Sequence, residues 1–288
     1  MTAASLLALE AVDHVFADGS AGLRGCGLAL ARGRRHALLG ANGAGKTTVL
    51  QHLNGLLRPT AGRLLWEGRP VDYGRAGLAA LRRRVGLVFQ NPDRQLFSAL
   101  VEEDVSFGPL NLGLDADTVR ARVAAALDAV DMGAHARRPV HHLSFGQKKR
   151  VCIAGVLAMA PEALLLDEPM AGLDAAMQAE LAQLLDRLAA GGVTILLSTH
   201  DIDFAYAWAD DIHLMAAGRC TASGPAAALA RQEGVLRAAG QRPPLALALH
   251  EHLAARGVLP ADAAPRSVDA VLHALNALPL DHFRRTPA

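Results

Sequence analysis

Aromatic residues make up only 4% of the 288 residues, although 51% are hydrophobic, so alanine and leucine carry most of the apolar content. These are helix formers rather than strand fillers, which disfavours a sandwich of aromatic strands and predicts a helix-rich α/β protein. Cysteine is equally sparse. Cys26, Cys152 and Cys220 lie far apart with no C-x-x-C spacing, which indicates neither a disulfide framework nor a zinc site and suits a reducing compartment. There is no excess of positive charge. At a formal net charge of +1, the basic surplus that accompanies phosphate-backbone binding is missing, and no nucleic acid partner is expected. The basic run Arg82, Arg83 and Arg84 reads as a solvated helix end. Long apolar runs are missing too: "VCIAGVLAMA" at 151–160 stops at Pro161, about half of the ~20 residues a bilayer requires. The start, "MTAASLLALE", has neither the basic n-region nor the long h-region of a signal peptide. No membrane-spanning segment is expected.

What remains is long enough for one large core and a smaller appended domain. Short apolar runs at 36–40, 85–89, 163–168, 193–199 and 212–215 read as strands, and their lack of alternation predicts a sheet covered on both faces. Helical patterns lie between them. Met177, Leu181, Leu184, Leu185 and Leu188 share one face of a helix that Asp174 can cap and that Gly191 and Gly192 end. This alternation predicts a mostly parallel sheet. Residues 91–160 interrupt it with a helical block in which Val119, Val123, Leu127 and Val130 fall on one face. After about residue 222, "GQRPPLALALHEHLAARG" and "RSVDAVLHALNAL" predict a small helical domain.

The strongest motif is "GANGAGKTT" at 40–48, which fits G-x-x-x-x-G-K-[ST] between a strand and a helix. Such a loop turns successive N–H groups inward around phosphate oxygens at a helix N-terminus, so Gly40, Asn42, Gly43, Ala44 and Gly45 are read as a phosphate cradle. Lys46 is placed at the β- and γ-phosphates, Thr47 on Mg²⁺ and Thr48 near the α-phosphate of ATP. "ALLLDEP" then supplies two acids at a strand end: Asp167 for Mg²⁺ and Glu168 facing an attacking water. His141 and His142, and His250 with His252, lack a local carboxylate or thiol cluster and are assigned to surface or packing roles. Cys152, in an apolar helix, is assigned to the core.

"LSFGQKKR" at 143–150 resembles the LSGGQ signature of ABC-type ATPases, and the other elements stand in the order of that family. These are the Walker A loop at 40–48, Gln90, the signature, Walker B at 163–168, "AGLD" at 171–174 and His200 in "STHD". The chain is identified by this resemblance as an ABC ATPase over residues 5 to 222. The resemblance implies a P-loop NTPase (RecA-like) core at 1–90 and 161–222 with an N-terminal β-subdomain. It also implies a helical subdomain at 91–160 and a mainly helical C-terminal dimerisation domain at 223–288. It further implies that Gln90 completes the Mg²⁺ shell, that His200 holds the γ-phosphate and orders Glu168, and that Asp174 is retained from the family's S-x-L-D. Ser144, Gly146 and Gln147 would face the nucleotide of a second ATPase subunit, most simply in a homodimer. Phe16 in "FADG" matches the aromatic that stacks on adenine, while a lone Phe before a turn also suits a core role.

The features of repair and translation ATPases, a coiled-coil or zinc insertion and a fused second cassette, are missing, which points to a transporter subunit. "NPDRQLFSALVEEDVSFGPLNLGL" resembles the ATPases of energy-coupling-factor importers, and "LSFGQKKRVCIAGVLAM" resembles their cobalt and nickel branch, the CbiO type. That resemblance implies a peripheral protein on the cytoplasmic face of the bacterial inner membrane. Its partners would be a transmembrane coupling protein and a separate substrate-binding membrane protein that chooses cobalt, nickel or a vitamin. Within "FQNPDRQLF", Gln95, Leu96 and Phe97 are expected on a short surface helix, as the coupling protein's docking site or as a plug for the helical subdomain.

Overall fold

The computed structural model describes residues 5–278; residues 279–288, part of the expected C-terminal domain, and residues 1–4 lie outside the described residues. The chain opens with strands β1 (Ser5–Val15) and β2 (Ala21–Ala31), then β3 (Arg35–Gly40) and helix α1 (Lys46–Leu53). Strands β4 (Ala61–Trp66) and β5 (Arg69–Pro70) precede α2 (Arg75–Arg84) and β6 (Val85–Val88). A helical block follows: α3 (Val101–Asn111), α4 (Ala116–Ala129) and α5 (Phe145–Leu157). The alternation resumes with β7 (Ala163–Leu166), α6 (Ala175–Ala190), β8 (Thr194–Thr199), α7 (Ile202–Trp208), β9 (Asp211–Ala216) and β10 (Arg219–Pro225). Four helices end the described chain: α8 (Ala226–Leu229), α9 (Glu233–Ala238), α10 (Leu245–Ala255) and α11 (Val268–Asn276).

Two sheets result. The larger has the order β10-β9-β3-β8-β7-β6, parallel except for β10, which runs antiparallel on β9. Its five parallel strands are the five apolar runs of the sequence, and their lack of alternation has the expected cause. Ala37 and Leu39 face one core with Ile195, Leu197 and the helices α3 to α7, while Leu38, Leu165 and Leu196 face a second core with α1 and β1. The smaller sheet, β2-β1-β4-β5, is antiparallel and covers that second core.

Several expectations are corrected. Strand β6 stops before Phe89, whose N–H is taken by Gln95, and β7 stops before Asp167, ahead of the turn at Glu168, whose φ is +43°. Met177 is 37% exposed, since the core face of α6 is made by Leu181, Leu184 and Leu185. The expected helix at 91–97 is only a 3-10 turn at Pro92–Arg94. Its extension is prevented by side chains: Gln95 Oε1 accepts from Phe89 N–H at 3.0 Å, its amide donates to the Cys152 carbonyl at 3.3 Å, and Asp104 accepts from the N–H groups of Phe97 and Ser98. Leu96 therefore packs against the helical core, while Phe97 is 64% exposed.

The readings of the α4 face, the α6 cap, the two C-terminal helical patterns and the buried cysteine match the structure. Val119, Val123, Leu127 and Val130 are buried, Asp174 caps α6 by accepting from Met177 N–H at 2.8 Å, and α10 and α11 occupy the two C-terminal patterns. Cys152 is buried, and burial pushes its thiol up to about 12. His141 and His142 pair with each other at the surface, and His250 is buried against the Pro260 carbonyl. Among the described residues no group of three His, Cys, Asp or Glu could hold a metal ion, and no helix is long and apolar enough to cross a membrane.

Candidate active site

The site forms where β3, β7 and β8 end side by side, at the carboxyl edge of the parallel sheet. Gly40, the last residue of β3, has no room for a side chain: a Cβ there would lie 2.5 Å from the Met215 carbonyl. Gly45 enters α1 at φ +101°, a left-handed conformation that glycine alone adopts easily, and its own Cβ would meet the Gly22 carbonyl at 3.0 Å. The loop thus bends sharply and delivers the next three residues to the first turn of α1, whose N–H groups have no acceptors within the helix.

Lys46 is 6% exposed and donates to the carbonyls of Gly40 and Ala41 at 2.7 and 3.3 Å. Its Nζ lies 3.1 Å from Glu168 Oε1, an ionic contact without hydrogen-bond geometry, so this buried carboxylate oxygen has no hydrogen-bond partner. The other oxygen, Oε2, lies 3.1 Å from Nδ1 of His200, whose side chain is mostly exposed. Thr47 Oγ1 donates to Asp167 Oδ2 at 2.7 Å. Ser198, near the end of β8, binds both acids: its hydroxyl donates to Asp167 Oδ1 at 2.6 Å and accepts from Glu168 N–H at 2.8 Å.

Phe16, Asn42, Gly43, Gly45, Lys46, Thr47, Thr48, Gln90, Asp167 and Glu168 line one cleft of about 470 Å³. Phe16 stands at its wall, 39% exposed, edge-on to His14 at 4.7 Å and beside Gly22, so it is not a core residue. Ala44 is buried beneath the loop. The donors suit a hard cation: a hydroxyl and a carboxylate at 2.7 Å, with the exposed Gln90 beside them. Mg²⁺ therefore fits Thr47, Asp167 and Gln90.

Ser144, Gly146 and Gln147 are not brought into this cleft. They open α5 on a separate cavity of about 540 Å³, shared with Leu173 and Met177. Ser144 Oγ accepts from Gln147 N–H at 3.3 Å and Gln147 Oε1 accepts from Ser144 N–H at 3.0 Å, a reciprocal cap that fixes the helix start. Asp174 caps the N-terminus of α6 and lines neither cavity. Two polar residues escaped the sequence reading: Ser198, in a buried strand two positions before His200, and Lys149, 3% exposed and pulled by burial down to about 8.

The chain matches the profile of the ABC transporter family over residues 23–171. It is 49% identical over 267 residues to the cobalt import ATP-binding protein CbiO of Rhodobacter capsulatus, covering 92% of this chain and 95% of that one. It is 49% identical over 209 residues to the energy-coupling factor transporter ATP-binding protein EcfA of Methanocaldococcus jannaschii, covering 73% and 75%. Among solved structures, CbiO1 of Clostridium perfringens, described as part of the ABC transporter complex CbiONQ, aligns with a TM-score of 0.73 and 43% identity over 81% of this chain and 94% of that one. A dimeric ATP-binding cassette in a post-hydrolysis state, bound to ADP and phosphate, aligns with a TM-score of 0.69 and 26% identity, covering 76% and 98%. With a P-loop α/β core, a family profile over more than half its length and relatives that match it nearly end to end, the chain belongs to the ABC transporter ATP-binding family, in its energy-coupling-factor and CbiO branch.

Proposed function

We propose that this chain is the ATP-binding and ATP-hydrolysing subunit of an energy-coupling-factor ABC importer, with cobalt ions as the cargo. The observation that carries the reading is the meeting of Lys46, Glu168 and His200 within 3.1 Å contacts at the edge of the cleft that Thr47, Asp167 and Gln90 also line. Asn42, Gly43 and the first turn of α1 cradle the phosphates, with Lys46 on the β- and γ-oxygens and Phe16 stacked on adenine. Thr47, Asp167 and Gln90 would hold Mg²⁺, which would neutralise charge on the phosphates when bound. Glu168 orients and deprotonates the attacking water, and His200 steadies Glu168 and the γ-phosphate. The reaction is in-line attack on the γ-phosphorus, driven by positioning and charge stabilisation.

One chain supplies half of each site. Ser144, Gly146, Gln147 and Asp174 lie away from their own cleft, which supports a head-to-tail pair in which they close over the nucleotide of a second copy. The apolar side chains of Leu245 on α10 and Leu272 on α11, about half exposed, support the C-terminal helices as a further contact in that homodimer. The domain division follows: 1–90 with 161–222 as the nucleotide core, 91–160 as the helical subdomain, and 223–288 as the dimerisation domain.

The chain would act as a peripheral protein on the cytoplasmic face of the membrane, docked to a coupling protein. Phe97 and Phe107, 64% and 50% exposed, meet edge to face at 4.7 Å, and Leu110 extends their apolar surface. This patch, rather than Gln95 and Leu96, suits the coupling protein's helix. Cobalt rests on the CbiO relative; the EcfA relatives leave nickel or a vitamin as the second reading. Uptake by the complex reconstituted with its membrane partners tests both levels. Cobalt accumulation that requires ATP hydrolysis is expected. Hydrolysis stimulated by a vitamin and indifferent to metal would overturn cobalt, and a complex without ATPase activity would overturn the whole proposal.

A further inference from the structure

We infer that Lys149 is a positioning residue for ATP hydrolysis: from the signature helix it clasps the turn that carries Glu168. This rests on the proposed role of Glu168 in activating water.

Lys149 lies in the second turn of α5, five residues after Ser144, and is 3% exposed. Its Nζ donates to the carbonyls of Pro169 at 2.6 Å and Ala171 at 2.7 Å, and more weakly to that of Glu168 at 3.5 Å. An ammonium has three donors, and all three are spent on one turn. Phe145, one helical turn earlier, completes the clasp. Its ring centroid lies 5.1 Å from Nζ, and its edge abuts Gly172, where an added Cβ would sit 3.1 Å from the ring. Phe145, which stands where the LSGGQ signature has glycine, therefore covers the lysine and touches the far end of the same turn.

That turn needs holding. Glu168 adopts φ +43° and Gly172 φ +76°; the backbone bonds within the turn run from Ala171 N–H to the Glu168 carbonyl at 3.1 Å and from Leu173 N–H to the Met170 carbonyl at 3.3 Å. A non-glycine residue keeps a left-handed backbone only where its surroundings enforce it. The direction of the Glu168 carboxylate, toward Lys46 and His200, follows from that backbone. A neutral or shorter side chain at 149 would strand buried carbonyls and free the turn. Because the same helix begins at Ser144, the clasp also ties the segment proposed to face a partner's nucleotide to this chain's own Glu168.

The test compares Lys149→Met and Lys149→Arg, using ATP turnover by the reconstituted complex and hydrogen exchange of the purified chain. Lys149→Met should lower kcat about ten- to a hundredfold while the KM for ATP moves less than about threefold, because the turn is displaced and the phosphate loop is untouched. Lys149→Arg, which keeps a charged donor, should recover most of the loss. The Ala171 amide should exchange at least about tenfold faster in Lys149→Met than in the parent. An unchanged kcat in Lys149→Met, or an equal loss in Lys149→Arg with KM rising in step, would overturn the positioning role. If Lys149→Met does not fold, Lys149→Gln takes its place under the same criteria. The exchange arm needs no turnover: unchanged Ala171 protection sinks the clasp itself, whereas a parent complex without ATPase activity sinks the functional reading and leaves the clasp standing.

Discussion

Ser198 and Asp167 are joined by a 2.6 Å hydrogen bond, and the same serine oxygen accepts the backbone N–H of Glu168 at 2.8 Å. One hydroxyl at the end of β8 therefore sets the orientation of the proposed Mg²⁺ carboxylate and the backbone of the proposed catalytic one. The substitution Ser198→Ala removes both bonds without creating bulk. A hydrogen bond to a charged group contributes about 1.5 kcal/mol or more, so kcat should fall roughly tenfold or more while the chain keeps its fold. Steady-state ATPase assays over a Mg²⁺ titration check this. A raised Mg²⁺ requirement should accompany the lower rate, since Asp167 loses its support.

Glu168→Gln retains shape and burial but removes the base. Hydrolysis should drop by about a hundredfold or more, while ATP binding persists. With the chemical step blocked, ATP should hold two chains together, so size-exclusion chromatography with Mg-ATP should show a long-lived dimer. Rapid phosphate release by this variant would remove Glu168 from the base role. Lys46→Ala should instead weaken nucleotide binding itself, because the ammonium proposed to bind the β- and γ-phosphates is removed.

The large sheet was legible because its strands are continuous apolar runs between helical patterns, and burial on both faces leaves no other pattern for them. Most of the cleft was legible as well, since the loop at 40–48 and the acids at 167 and 168 sit at strand ends that topology brings together. The small sheet was legible only through the family resemblance. In β2, Leu23, Cys26, Leu28 and Leu30 are buried, but Gly25 at φ +56° breaks the alternation after Leu23. Strand β10, "RCTASGP", is an edge strand with no fully buried residue and carries no apolar signal. Ser198 and Lys149 were invisible for a different reason. Each acts on a segment far away in the chain, and nothing local to "LLST" or "QKKR" distinguishes a working hydroxyl or ammonium from a filler.

Leu96 and Phe97 are adjacent but should behave oppositely. Leu96 packs against the helical core, so Leu96→Asn places an amide among apolar neighbours and should cost about 2 kcal/mol of stability or more, read as a lower Tm. Phe97 and Phe107 cover each other only at the surface. The double substitution Phe97→Ser with Phe107→Ser should leave Tm nearly unchanged and spare ATP hydrolysis by the isolated chain. In the reconstituted complex it should abolish cargo uptake. Normal uptake by this variant would move the coupling contact elsewhere.

His36 and His213 are buried side by side on β3 and β9, with His36 Nδ1 3.2 Å from His213 Nε2. His213 Nδ1 reaches Ser223 Oγ at 2.8 Å, and His36 Nε2 reaches the Ala31 carbonyl at 3.1 Å. Burial disfavours charge on both rings, pulling His36 below its usual range and His213 down to about 3; His36 further disfavours charge on His213, and Arg34 disfavours it on His36. The nearest counter-charge is Asp211, 3.8 Å from His36. In the unfolded chain both rings titrate near 6.5, so below that pH the unfolded state binds protons that the folded state refuses. Stability is therefore full above about pH 7 and falls on acidification, by about 1.4 kcal/mol per pH unit for each ring that stays neutral. Denaturant unfolding at pH 7.5, about 6 and about 5 should show this decline above the range where carboxylates titrate. His213→Asn keeps a hydrogen-bonding group near Ser223 but removes the titrating ring, so its stability should vary less steeply with pH across that window. An unaltered slope would mean that the loss of stability on acidification arises elsewhere than in this buried pair.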